Sequence, residues 1–169
     1  MNLYLRLIIT LIKACFRRRT IQFGEKTIWK GRVLPNDIDV YGHLNSGRYV
    51  TLAGLAAFDH VVRTGGLIRI LKKGYLFVFN RINVVWKRPL GLFRRFSIET
   101  QCLYWEGRYD YVMAKFIDSK GEVIAEISYR VVLLVRSGKY LTVQEVLDEV
   151  YENPPKLPEE KPKFVDMLQ

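Results

Sequence analysis

Cysteine is scarce in this 169-residue chain: there are two, Cys15 and Cys102. They stand far apart with no partner spacing, which points away from a disulfide framework or a zinc cluster. A reducing, cytoplasmic setting is the simplest reading. The chain also lacks a run of about 20 apolar residues, the length a membrane-spanning helix needs. It has no small-residue cleavage site after its apolar N-terminus, so that segment reads as retained rather than as a secretory signal. There is no glycine-rich phosphate loop and no internal repeat. No nucleic-acid readout motif is recognisable, and the aromatics fall in strand-core patterns, so a nucleic-acid partner is not expected despite a formal charge of +10. Low-complexity sequence is too sparse, and core-forming residues too many, for intrinsic disorder.

What is present is a core-forming composition, 49% hydrophobic and 13% aromatic, in a length suited to one domain. The basic balance favours an anionic partner, for which a phosphorylated cofactor or an acidic membrane surface qualifies. Residues 1–20 read as an amphipathic helix, 21–151 as the main domain, and 152–169 as an extended, mobile tail in which Pro154, Pro155, Pro158 and Pro162 alternate with Glu and Lys. In the first segment Arg6, Thr10, Lys13 and Arg17 form one narrow polar stripe on an otherwise apolar helix, and Arg17-Arg18-Arg19 follow. Two readings stay open: residues 1–19 lie on a membrane surface, or they pack on the domain or on a second subunit.

Within the domain, a β-type run over 27–33 ends at the turn Leu34-Pro35-Asn36-Asp37. From Ser46 to about Arg63, the residues Tyr49, Leu52, Ala53, Ala56, Ala57 and His60 recur at helical spacing, and Gly65-Gly66 stop the pattern. Four β-rich runs follow: 76–86, 96–105, 109–117 and 123–135. The short connections Glu106-Gly107 and Asp118-Ser119-Lys120-Gly121 require antiparallel hairpins. A last short helix over 141–151 has Thr142 as N-cap and Glu145 as its capping-box partner. The order makes an α+β domain with enough sheet to wrap one face around a single helix.

Between the first strand and that helix lies the densest polar string, Asn36-Asp37-Ile38-Asp39-Val40-Tyr41-Gly42-His43-Leu44-Asn45. It resembles the Asp-x-Asp-x-x-Gly-His-x-Asn signature of the 4-hydroxybenzoyl-CoA thioesterase-like branch of the hotdog superfamily. In that branch the string precedes a helix carrying an aromatic such as Tyr49. The strand order, the turn Lys87-Arg88-Pro89-Leu90 and the hairpin before Val123-Ile124-Ala125 are similar too, so the resemblance covers residues 27–135. The apolar N-terminus with its arginines is similar to membrane-associated thioesterase-superfamily members related to the sixth human one. Ser46 and Gly54 depart from the pattern, since relatives often carry a second asparagine and a helix glutamate there.

The resemblance implies a hotdog fold and hydrolysis of an acyl thioester, acyl-CoA or an acyl-carrier thioester, by a homodimer or tetramer. Coenzyme A then enters only as part of the substrate, with no separate cofactor. It also implies that Asp39 is the catalytic carboxylate, acting as general base on water or as nucleophile. The chemistry agrees: a thiolate leaving group, with a thiol pKa of about 8.5, needs little protonation, so one carboxylate and a few N–H donors suffice. Backbone N–H groups at Ser46 to Arg48, at the start of the helix, suit the oxyanion. His43 and Asn45 are candidate helpers, although Asn45 is equally suited to capping the helix. Asp37 reads as a turn carboxylate, and Asp59 and His60 as packing or surface residues. Tyr49, Lys87 and Arg88 are candidates for binding substrate, the two cations through the phosphates of coenzyme A. A non-catalytic acyl-binding or membrane-associated protein of the same fold is the alternative.

Overall fold

The computed structural model describes residues 3–16, 21–135 and 137–168. The arginine run Arg17-Arg18-Arg19 lies outside them. In chain order the elements are α1 (Leu3–Phe16), β1 (Thr27–Arg32), a 3-10 turn (Pro35–Asp37), α2 (Ser46–Arg63) and α3 (Gly66–Lys72). Then come β2 (Tyr75–Trp86), β3 (Arg95–Glu106), β4 (Tyr109–Asp118), β5 (Val123–Val135), β6 (Tyr140–Leu141), α4 (Val143–Val150) and a closing 3-10 turn (Lys163–Leu168).

The sheet runs β1-β3-β4-β5-β2, with β6 added to β5, and every pairing is antiparallel. Glycines set both short hairpins: Gly107 (φ 55°) turns β3 into β4, and Gly121 (φ 86°) turns β4 into β5, a backbone conformation that costs glycine nothing. Asp118 adds to the second turn by accepting the backbone N–H groups of Lys120 (2.8 Å) and Glu122 (2.9 Å). The sheet wraps α2, whose Leu52, Ala53 and Ala56 are buried together with Ile98, Ala114, Phe116 and Ile127 of the strands. Small residues on α2 let the sheet approach closely, and each large buried side chain such as Leu52 contributes about 1.5–3 kcal/mol. This is the antiparallel sheet around one central helix expected from the sequence.

Three details differ from the sequence reading, each for a non-local reason. Gly65-Gly66 stop α2 but start another helix: Gly65 adopts φ 78° and α3 runs on from Gly66, held by Arg69, whose guanidinium donates to the Val150 carbonyl and pairs with Glu152. In α1 two residues of the polar stripe face inward, while Lys13 is exposed. Arg6 and Thr10 are buried, whereas Tyr4 and Phe16 are 72% and 90% exposed, with Leu5, Ile8 and Ile12 also outward. Arg6 reaches Asp37 (2.5 Å) and the Arg32 carbonyl (3.3 Å), and Thr10 accepts the Trp29 indole N–H (3.1 Å), so the helix docks on the domain through these two side chains together with Leu3, Leu7 and Ala14. Lastly, the tail does not stay extended to its end. Val165 and Leu168 are fully buried with Tyr111 on the outer face of the sheet, beside Tyr104 and Phe164, because these apolar residues follow the prolines and cover a face that α2 leaves open.

Candidate active site

The string from Asp37 to Asn45 folds as a small hairpin. The Asp39 N–H donates to the His43 carbonyl (2.9 Å) and the Gly42 N–H to the Asp39 carbonyl (3.1 Å). Gly42 closes this turn with φ 74°, a left-handed conformation that favours glycine. Ile38 bridges to Leu44 and His43 to Gly91, and the Leu44 N–H donates to the Leu90 carbonyl at 2.7 Å. The turn is thereby fastened to the loop after β2. Asp39 is half-buried, and one of its carboxylate oxygens accepts the N–H of Tyr41 (2.9 Å) and, more weakly, that of His43 (3.4 Å). Those bonds aim the carboxylate without using its second oxygen.

Asp39 opens onto a surface cleft of about 470 Å³ lined also by His43, Ser46, Tyr49, Trp86, Lys87 and Arg88. Five residues singled out from the sequence therefore meet: Asp39, His43, Tyr49, Lys87 and Arg88. Tyr49 is 2% exposed, and burial is the main reason its phenol is pushed up to about 12; a backbone hydrogen bond with Leu90 opposes this and the charge of Asp39 adds to it. A neutral phenol beside a carboxylate is a hydrogen-bond donor throughout the physiological range. Lys87 pairs with Glu126 (3.0 Å) and Arg88 with Glu122 (3.3 Å). All four side chains are substantially exposed, where such pairs are weak and exchange readily for a phosphate.

Asn45 stands apart from this group. Its side chain accepts the Gly47 N–H (3.0 Å) and caps α2, and it does not line the cleft. Of its two open roles, the structure fills the cap. The Asn45 carbonyl takes the Arg48 N–H (2.9 Å), so of the three backbone donors expected for an oxyanion only that of Ser46 has no protein partner among the described residues. The Ser46 hydroxyl is the donor the sequence reading passed over, along with Trp86 and Tyr41 in the cleft wall. Asp37 is the turn carboxylate anticipated. It is 2% exposed, accepts the Leu34 N–H (2.9 Å) and holds Arg6, with Arg48 at 4.0 Å. Asp59 and His60 are buried at the far end of α2, Asp59 paired with Arg63 at 3.6 Å. Lys73 is also remote, bound to Glu149 at 2.7 Å. No group of three or more metal-ligating side chains gathers among the described residues.

The family model described as the thioesterase-like superfamily matches residues 33–164. The chain belongs to the thioesterase-like superfamily. It is 26% identical over 157 residues to Protein THEM6 of Xenopus laevis, covering 93% of this chain and 75% of that protein. Among solved structures, YbaW of Escherichia coli superposes with a TM-score of 0.67 at 22% identity, over 73% of this chain and 97% of that one. The DHNA-CoA thioesterase of Staphylococcus aureus gives 0.63 at 16%, over 71% and 82%. These likenesses confirm the hotdog architecture.

Membership in the thioesterase-like superfamily supports thioester hydrolysis as the general chemistry. The match begins at Val33 and so spans both the turn bearing Asp39 and the loop bearing Lys87 and Arg88. At Gly54, where the glutamate expected from the resemblance is missing, an added Cβ would meet nothing within 4 Å. Asp39 is the acidic side chain in the lining of the cleft.

Proposed function

We propose that the protein hydrolyses acyl-CoA thioesters, with Asp39 as the carboxylate that activates water or attacks the thioester carbonyl. The observation that carries this reading is the convergence of Asp39, His43, Ser46, Tyr49, Lys87 and Arg88 on one cleft at the N-terminal end of the central helix. In this arrangement the Ser46 N–H and the Tyr49 phenol face the developing oxyanion, and Lys87 and Arg88 hold the phosphates of coenzyme A. His43 assists at the cleft rim, and the thiolate leaves without a dedicated acid. The test is thiol release from a panel of short, long and aromatic acyl-CoA substrates, wild type against Asp39→Ala. Equal rates would remove the assignment. Tight acyl-CoA binding without turnover would instead establish the non-catalytic alternative, which the missing helix carboxylate at Gly54 favours.

The active assembly in this proposal is a homodimer, or a tetramer built from it. Supporting this, β2 is a twelve-residue strand paired on one side only, with β5, and Leu76, Val78 and Val85 are exposed along it. An unpaired, apolar edge of that length is a template for a second chain. The cytoplasmic protein would also touch a membrane surface through residues 1–19. The outward apolar face of α1 supports this, and no described helix is long and apolar enough to cross a bilayer. Flotation with anionic liposomes tests it, with loss of binding expected for Ile8→Glu combined with Ile12→Glu.

A further inference from the structure

Behind the C-terminal half of α2 lies a cavity of about 70 Å³ that shares no lining residue with the thioester cleft. Most of its wall is apolar, with Phe77, Phe79, Val131 and Leu133 from the sheet. Two buried polar atoms in that wall have no hydrogen-bond partner among the described residues: His60 Nε2 and Thr100 Oγ1. The residues are 3% and 0% exposed, and a buried polar group without a partner costs about 1–3 kcal/mol. Such atoms call for a ligand.

The hydrogen-bond network fixes what each atom offers. The Thr27 hydroxyl donates its single proton to the Thr100 carbonyl (3.2 Å) and lies 3.1 Å from His60 Nδ1. With its proton on that carbonyl it accepts from Nδ1–H, the tautomer in which Nε2 carries the lone pair. Burial and the charge of Arg63 hold the imidazole at about 4, so Nε2 stays an acceptor at neutral pH. Thr100 Oγ1 still has a proton to give and lone pairs to share.

We propose that this cavity is a second ligand site, which takes a small neutral molecule with an apolar body and one hydroxyl group. The hydroxyl donates to His60 Nε2 and accepts from Thr100 Oγ1, while the body packs against Phe77, Phe79, Val131 and Leu133. A single water would satisfy both atoms, but a water needs only about 10–15 Å³, and the apolar remainder of the space would stay unfilled. An anion is disfavoured because Asp110 is in the same wall and already accepts a proton from the Cys102 thiol at 2.8 Å. The partly exposed rings of Phe23 and Tyr151, also in the lining, mark where the cavity comes closest to solvent.

The experiment titrates the full chain with phenol, benzene and benzoate by calorimetry. Wild type should bind phenol about tenfold more tightly than benzene, the ratio expected for one buried hydrogen-bonded group, and benzoate not measurably. Thr100→Val keeps the shape and removes one of the two hydrogen-bond partners: phenol should weaken about threefold toward the level of benzene, with benzene binding and thioester turnover unchanged. Ala57→Leu, which fills the cavity, should abolish binding of both. Absence of phenol binding to wild type, as a cavity holding only water would give, overturns the proposal, and so does phenol binding that Thr100→Val leaves intact. If Thr100→Val does not fold, NMR contacts between phenol ring protons and the methyls of Val131 and Leu133 in wild type decide, and their absence counts against the site.

Discussion

At its N-terminal end α2 faces an open cleft where Asp39, Lys87 and Arg88 keep contact with water, whereas at its C-terminal end it faces a more sheltered, mostly apolar space holding His60, Thr100 and Asp110. Both regions gather titratable groups on one helix and one sheet. In the first, backbone N–H groups and solvent stabilise charge, so a carboxylate can serve as base or nucleophile. In the second, burial drives groups toward their neutral forms: His60 is lowered to about 4 and Asp110 raised to about 6, burial being the largest cause of each. The Cys102 thiol is pushed well up by burial and by Asp110, so it stays protonated and unreactive. Polar residues therefore sit in a setting that stabilises charge at one end of α2 and in one that favours neutral forms at the other.

The largest effect that would break this contrast is at Asp39. Asp39→Asn should lower kcat/KM for an acyl-CoA by about a hundredfold or more, with circular dichroism unchanged; the same substitution at Asp110 should leave turnover near wild type. Next comes the pH dependence of stability. His60 binds a proton in the unfolded chain below about 6.5 but in the fold only near 4, so its contribution is complete above 6.5 and is lost as pH falls toward 4. Asp110 acts in the opposite sense. Its contribution is complete below 3.8, the unfolded value, and is lost as pH rises through about 6. Each amounts to roughly 3 kcal/mol at its limit, and in wild type they oppose one another between pH 4 and 6. Urea unfolding at pH 6.5 and 4.5 should show His60→Gln gaining stability relative to wild type on acidification and Asp110→Asn losing it. A common slope for all three proteins would refute the contrast.

A smaller effect is expected at the cations. Lys87→Ala with Arg88→Ala should raise KM for acyl-CoA about tenfold with kcat little changed, while a thioester lacking the nucleotide should be unaffected. The smallest is at Asn45. Asn45→Ser keeps a capping oxygen and should cost only a few tenths of a kcal/mol with near-normal turnover, against about 1 kcal/mol for Asn45→Ala. A large loss of turnover with serine would return Asn45 to the chemistry.

Much of this architecture was legible in local pattern. The bounds of α2, the two short hairpins and the Thr142 capping box follow from periodicity and turn chemistry, and the structure shows the box formed, with Thr142 accepting the Glu145 N–H (3.3 Å). What escaped depends on partners distant in sequence. β2 pairs with β5 about fifty residues on rather than with its neighbour β3, and no turn residue announces that. The inward placement of Arg6 on α1 is set by Asp37, thirty-one positions away. In the cleft, Asp39 was visible because the string around it is compact, and Lys87 because a Pro-containing turn marks its loop. His60, Thr100 and Asp110 sit on three elements, each in an ordinary core position, so their meeting appears only once α2 is laid on the sheet. The buried end of the tail had a sequence signal, Phe164, Val165, Met167 and Leu168, which the preceding prolines outweighed.

Arg6 is 6% exposed and lies against an equally buried Asp37, two residues before Asp39. Trimming the chain to a tidy domain that starts after α1 would remove the closer of that carboxylate's two cationic partners and leave it with Arg48 at 4.0 Å. The first helix, whatever surface it touches, is therefore part of the footing of the turn that carries Asp39: the segment easiest to discard when preparing this protein is one that the proposed chemistry stands on.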